Sequence, residues 1–120
     1  MFHILVVDDD KNTRRLMQAV LEGDGYTVTT ACDGEEALAV MDREHIDLAV
    51  LDIMMPNMDG YAATQIIRHL KNKRASIPII AMTANAFDED KQQAKDAGMD
   101  AHIAKPINVE VLLKTLYQII

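Results

Sequence analysis

Six residues in this chain have the types and the placement to do chemistry together. Asp8, Asp9 and Asp10 follow one short apolar run, Asp52 follows another, Thr83 ends a third and Lys105 follows a fourth. Taken singly these are weak signals, because acids ahead of a helix are commonly solvated partners of its dipole and a lone lysine is commonly solvated too. Their joint placement is the informative feature. If the runs are neighbouring strands, carboxylates about 5 Å apart repel by roughly 3 kcal/mol per pair at an effective dielectric near 20. Such a site wants a cation. All-oxygen ligands with few protein donors favour Mg2+, which keeps several waters and leaves room for phosphoryl oxygens. Asp52 then becomes a candidate nucleophile, since a carboxylate can take a phosphoryl group covalently when a cation and an ammonium offset the charge. Thr83 and Lys105 would each bind a phosphoryl oxygen.

The elements that must position these groups can be read from hydrophobic patterning. The runs His3 to Val7, Asp47 to Leu51, Ile77 to Met82 and Ala101 to Ala104 suit strands buried on both faces, and Tyr26 to Ala31 is a shorter β-branched version. Between them lie apolar residues at helical spacing: Thr13, Leu16 and Val20; Ala37, Leu38 and Met41; Ala62, Ile66 and Leu70; and Val109, Leu112, Leu113 and Leu116. Phe87 to Ala97 has a weaker stripe around DEDKQQ and predicts a loosely held helix. Gly23 and Gly25 can close the first helix, Asp33 with Glu36 resembles a capping box, and Gly98 follows the fourth helix. Strict alternation predicts a doubly wound α/β domain, a parallel sheet with helices on both faces. In such sheets the reactive rim lies outside the carboxyl ends of the strands, where all six residues fall.

Composition narrows the function classes. The 120 residues fit one domain spanning 1–120, and 49% apolar with 26% charged residues is close to the globular average. Twelve Lys and Arg against 19 Asp and Glu give net −7, which opposes the field of nucleic acid, so direct binding to it is not expected. No apolar run approaches the roughly 20 residues that span a bilayer, and Met1 to Val7 stops at aspartates instead of a cleavage site, so the expectation is a cytoplasmic protein without membrane insertion. Cys32 has no partner for a disulfide within the chain, and its apolar neighbours predict a buried bystander thiol. The basic stretch Arg68 to Arg74 reads as a solvated helix end. Met54, Met55 and Met58 read as gap-fillers around the site loop, and His3, His45 and His69 lack metal-ligand spacing.

The set VVDDD (6–10), LDIMMPNMDG (51–60), MTAN (82–85) and KPI (105–107) resembles the receiver domain of two-component response regulators and hybrid histidine kinases, over essentially the whole chain. The resemblance implies a flavodoxin-like sheet of order 2-1-3-4-5 with five helices, as in chemotaxis regulators. It implies Asp52 as phosphoacceptor, and Asp9, Asp52 and the Met54 backbone carbonyl as Mg2+ ligands, with Asp8 acting through a water on that ion. It implies Thr83 and Lys105 as phosphoryl ligands and a cis bond between Lys105 and Pro106. The partners it implies are a histidine kinase or histidine phosphotransfer protein, and an output domain or effector protein. The activity it implies is that of a signalling module, with catalysis confined to its own phosphorylation and dephosphorylation.

Receivers usually carry Tyr or Phe three residues before the lysine, as a switch coupled to the threonine; here that position is His102. Its imidazole could turn inward as the aromatic does or stay at the surface and answer pH. DDDKNTRRLM and LDIMMPNMDGY resemble receivers of DNA-binding regulators, whereas IPIIAMTANAFDEDKQQAKDAGMDAHIAKPI resembles those of hybrid kinases, which leaves parentage open, a chimaeric chain included. Met54 and Asn85, each two residues beyond a site residue, are placed to shield or orient attacking water. The loop after Thr83 and the weak fourth helix are expected to move most easily, and Val111, Tyr117 and Ile119 to form part of a partner face. A haloacid-dehalogenase-like phosphohydrolase would need a second Asp where Met54 stands. A flavin-binding flavodoxin would need a Ser/Thr/Gly-rich loop where the three aspartates stand, and an adaptor that is never phosphorylated would not need the intact acceptor set.

Overall fold

The computed structural model describes residues 2–55, 57–70, 72–84 and 88–120, with backbone alone for 88–90. Strands and helices alternate as β1 (His3–Val7), α1 (Lys11–Gly23), β2 (Thr27–Ala31), α2 (Gly34–Arg43), β3 (Leu48–Asp52), α3 (Gly60–Arg68), β4 (Ile79–Thr83), α4 (Asp88–Ala97), β5 (Ala101–Ala104) and α5 (Val109–Ile119), with a short 3-10 turn at Lys73–Ser76. Every strand pairing is parallel and the order is β2-β1-β3-β4-β5, as the resemblance implies.

The unbroken apolar runs make sense because the central strands are covered twice. Side chains alternate between faces with period two. Leu5, Val7, Ala49, Leu51, Ile79 and Ala81 face a core completed by α2, α3 and α4. Ile4, Val6, Leu48, Val50, Ile80 and Met82 face the opposite core, completed by Met17 and Leu21 of α1 and by Leu112 and Leu116 of α5. β2 lies at an edge, so Thr27 to Thr30 are only half buried. Asp10, Asp33, Asp59 and Asn108 cap the starts of α1, α2, α3 and α5 through their side chains. Gly98, at φ 104°, turns the chain after α4 while its N–H and that of Met99 bond back to Lys95 and Ala94.

Several expectations are corrected. On α1 the buried residues are Met17 and Leu21, while Leu16 is 43% exposed; on α3 they are Ala63, Thr64 and Ile67, while Ile66 is exposed. Both predicted stripes are rotated by one residue, about 100° around the helix. Ile119 packs against the core and so leaves the proposed partner face, on which Val111 and Tyr117 stay exposed. Cys32 is exposed, because it follows the last residue of an edge strand, and its thiol donates to Glu36 Oε2 at 2.8 Å. Phe87 of the weak stripe and residues 85–87 of the loop after Thr83 lie outside the described residues; Ala94 anchors α4 to the first core, and Ala97 is buried as well.

Arg68 also departs from the solvated helix end expected of it. Its Nε donates to Gly98 O at 2.9 Å, Nη1 to Ala75 O and Ile77 O at 2.8 and 2.7 Å, and Nη2 to Asp100 Oδ2 at 2.9 Å. Asp100 Oδ2 accepts the Ile79 N–H as well. One guanidinium thus ties the end of α3 to the entries of β4 and β5. No helix among the described residues is long and apolar enough to cross a membrane.

Candidate functional site

Parallel register sets the rim. Val7 pairs with Leu51, Asp52 with Met82 and Thr83 with Ala104, so Asp8, Asp52, Thr83 and Lys105 emerge at the carboxyl ends of adjacent strands. Short backbone bonds extend the ladder past the strands: Asp8 N–H to Ala31 O at 3.1 Å, Ile53 N–H to Met82 O at 3.1 Å, and Lys105 N–H to Thr83 O at 2.7 Å. The Lys105–Pro106 bond is cis, as the resemblance implies.

At this rim Asp8, Asp9 and Asp52 each offer a carboxylate oxygen, all within 4.8 Å of one another. Asp8 and Asp52 are buried and Asp9 is exposed. The Lys105 ammonium lies 2.7 Å from Asp8 Oδ2, an ion pair whose angle departs from a hydrogen bond, and donates to Asp52 Oδ2 at 2.9 Å. Each acid keeps its other oxygen on a backbone donor: Asp10 N–H reaches Asp8 Oδ1 at 2.8 Å and Met54 N–H reaches Asp52 Oδ1 at 3.0 Å. The Thr83 hydroxyl is fully buried at the end of β4 and makes no hydrogen bond among the described residues. An unpartnered buried hydroxyl costs about 1 to 3 kcal/mol, which a phosphoryl oxygen could recover.

The charges pull against one another. Burial raises the Asp8 pKa above the ordinary carboxylate value, and the neighbouring Asp52 charge adds to this, more than the Lys105 ammonium and the Asp10 N–H offset. Burial works against the Lys105 ammonium, yet the two carboxylates outweigh it and raise its pKa. Asp10 turns away from the group. It accepts from Thr13 Oγ1 at 2.9 Å and from Asn12 N–H at 3.1 Å, which together lower its pKa and make it a helix cap.

His102 resolves between its two open positions as an intermediate. It pairs in register with Ala81, two residues short of the rim, and is half buried beside Lys91, Ala94, Lys95 and Met99 in the groove between α4 and β5. Burial first, and Lys91 second, lower its pKa and favour the neutral ring. Met54 also departs from expectation. Its side chain is 71% exposed, whereas Met55 is buried and Met58 packs against the first core. Asn85 lies outside the described residues.

Two positioning residues escape a reading based on strand ends. Arg14 Nη1 donates to Asp8 O at 2.7 Å, pinning the turn that follows β1. Gly60 opens α3 against the end of β3, where a Cβ would come within 2.6 Å of Asp52 O and 2.9 Å of Ile53 Cα. The dipeptide Asp59-Gly60, a cap followed by the smallest residue, is the signal that could have found the second.

The family model described as response regulator receiver domain matches residues 4–117. The sensor histidine kinase RcsC of Escherichia coli is 46% identical over 113 residues, which are 94% of this chain but 12% of that kinase, so the chain spans about an eighth of its length. The chemotaxis response regulator CheY4 of Vibrio cholerae superposes with TM-score 0.94 at 35% identity, over 100% of this chain and 99% of that one. The receiver domain of the Pseudomonas aeruginosa sensor histidine kinase PA1611, solved with a magnesium ion coordinated in its active site cleft, gives TM-score 0.88 at 36% identity, over 98% and 96%. With its fold, its acidic rim and these likenesses taken together, the chain belongs to the response regulator receiver domain family.

Proposed function

We propose that this receiver takes a phosphoryl group from a phosphohistidine of a histidine kinase or histidine phosphotransfer protein onto Asp52, holds it, and loses it to water. The observation that carries the reading is Lys105, whose ammonium bridges Asp8 and Asp52 beside a buried Thr83 hydroxyl with nothing to bond among the described residues. An Asp52 carboxylate oxygen attacks phosphorus while the P–N bond to the donor imidazole breaks; the bonding pair stays on the ring nitrogen, and the ring leaves as neutral imidazole because its other nitrogen already carries a proton. In the second half, water attacks phosphorus, the P–O bond to Asp52 breaks, and inorganic phosphate departs. Lys105 and Thr83 each engage an oxygen of the transferred group, and positioning of this kind supplies much of the rate in phosphoryl transfer.

The donor set fits a hard divalent cation, since all three clustered side chains are carboxylates. Asp8, Asp9, Asp52 and the Met54 carbonyl would hold Mg2+, which when bound neutralises charge on the carboxylates and the phosphoryl oxygens. Lys105, a point charge on a flexible stem, would turn from the acids to the phosphoryl group. Thr83 and His102 would pass the change outward to an output domain or effector in the cytoplasm. The test is intact mass after treatment with acetyl phosphate and Mg2+. One labile phosphoryl adduct is expected, and Asp52→Asn should abolish it while the fold survives, because Asn keeps the volume and loses the nucleophile. An adduct of undiminished yield on the variant would place the acceptor elsewhere.

A further inference from the structure

We propose that Met54 is a site of reversible oxidation, through which oxidants of the hydroperoxide class shorten the life of the phosphoryl group on Asp52. The inference rests on Asp52 being the acceptor. Among the described methionines Met54 alone is exposed: Met17, Met41, Met55, Met82 and Met99 are buried, and Met58 is packed against the core and the Gly34 backbone. Its main chain is nonetheless tied to the site, because its N–H donates to Asp52 Oδ1 at 3.0 Å. A solvent-open thioether is therefore carried by the very residue whose backbone holds the acceptor. The competing nucleophile is weak. Cys32 is exposed, but its hydrogen bond to Glu36, with burial and the acids around it, raises its pKa and keeps the thiolate scarce.

The step balances simply. A sulfur lone pair attacks the distal peroxide oxygen, the O–O bond breaks, and methionine sulfoxide forms with release of water or an alcohol. Reduction by a dithiol-dependent sulfoxide reductase reverses it, yielding water and a disulfide. A thioether is a poor acceptor and holds no water, whereas the sulfoxide oxygen is a strong one. Placed two residues from Asp52, that oxygen can accept from a water molecule and hold it close to the phosphoryl group, raising the rate of attack.

The test uses the whole chain in a Cys32→Ser background, treated with graded hydrogen peroxide and followed by peptide mass mapping. A gain of one oxygen is expected at Met54 well before any other described methionine. The oxidised protein, phosphorylated with acetyl phosphate and Mg2+, should lose its adduct at least about threefold faster than the reduced protein. Sulfoxide reductase should restore both the mass and the lifetime, and Met54→Leu should show no difference with or without peroxide. Oxidation that falls first on another described methionine would overturn the site. Selective oxidation of Met54 with an unchanged adduct lifetime would overturn its consequence, and a peroxide effect that persists in Met54→Leu would do the same. Absence of any adduct on the reduced protein would instead bring down the acceptor reading, and this inference with it.

Discussion

The two edges of the sheet hold cations in opposite ways. At the amino edge Arg68 spends its fork on three backbone carbonyls and the Asp100 carboxylate, and Asp100 returns a bond to the start of β4. At the carboxyl edge Lys105 faces two buried acids with a single ammonium, and the Thr83 hydroxyl bonds nothing among the described residues. The first arrangement satisfies its polar groups and fixes two strand entries and a helix end in one place. The second leaves charge and hydrogen-bonding capacity unbalanced, in the way a site must if a ligand is to complete it. The two cations differ in shape to match. A planar guanidinium is pre-formed for several fixed acceptors, while a point charge on a flexible stem can change partners.

The sharpest way to break this comparison is at Arg68. Arg68→Ala should destabilise the domain by about 3 kcal/mol, because it strands three half-buried carbonyls and an acid at once, and melting should fall by roughly 10 °C. Arg68→Lys should recover only a minor part, since one ammonium cannot reach acceptors spread around a fork. Asp52 should still take phosphoryl in whatever fraction stays folded. Denaturant melts of both variants read the loss directly, and a loss under about 1 kcal/mol for Arg68→Ala would make the amino edge as tolerant as an ordinary surface.

Gly60→Ala attacks the other edge through its backbone. The new methyl would press on Asp52 O and Ile53 Cα, both main-chain atoms that cannot rotate aside, so α3 or the end of β3 must shift. A cost of about 1 to 3 kcal/mol is expected, together with slower adduct formation if Asp52 is the acceptor as proposed, because its backbone moves. Melting with wild type and unchanged phosphorylation would mean that α3 does not set the acceptor's position.

Mg2+ should sharpen the contrast. At ten times its dissociation constant it should add about 1.4 kcal/mol, or roughly 5 °C in melting temperature. Asp9→Ala should erase that increment and melt at or above wild type without metal, because it removes one of three crowded charges. Thermal melts of both proteins with and without the ion decide it. If Asp9→Ala keeps the full shift, the acidic pocket does not bind the metal.

How far the sequence carried this picture depends on which physical signal is unambiguous. Asp8, Asp52, Thr83 and Lys105 were legible because buried parallel strands are unbroken apolar runs, and the residue that ends each run must sit at the same rim. Helix faces were less so. Leu16 and Met17, and Ile66 and Ile67, are adjacent apolar pairs of similar hydrophobicity, and only the neighbouring strands decide which member turns inward. The exposure of Met54 and Cys32 was hidden for a related reason: both follow the end of a strand, where an apolar neighbour says nothing about what covers the next residue. Arg68 lay inside a basic stretch, and nothing local reveals that carbonyls from residues 75, 77 and 98 converge on it.

The finest difference between the two edges lies in their response to pH, measured with a chelator present. At the amino edge burial works against the Asp47 carboxylate, but bonds from the His3 N–H at 2.8 Å and from His45 at 2.9 Å overcome it and lower its pKa. The native state then binds fewer protons than the unfolded one, so stability rises with pH; Asp47's contribution is present above an unfolded value of about 3.9 and is lost as pH falls through the lower folded value. Asp8 runs the other way. Its folded pKa is raised, the native state holds its proton more tightly, and stability is lost as pH climbs from about 3.9 towards the folded value. Asp47→Asn should therefore flatten the acid limb below about pH 4 and leave the limb above it alone, while Asp8→Asn should flatten the decline above about pH 4 and leave the acid limb alone. The two sites lie at opposite edges and share no partner, so the double variant should show both changes added together. Urea midpoints across the pH range read each limb separately. An Asp8→Asn protein that declines as steeply as wild type above about pH 4 would mean that Lys105 fully offsets the burial of Asp8, and the carboxyl edge would then be as balanced as the amino edge.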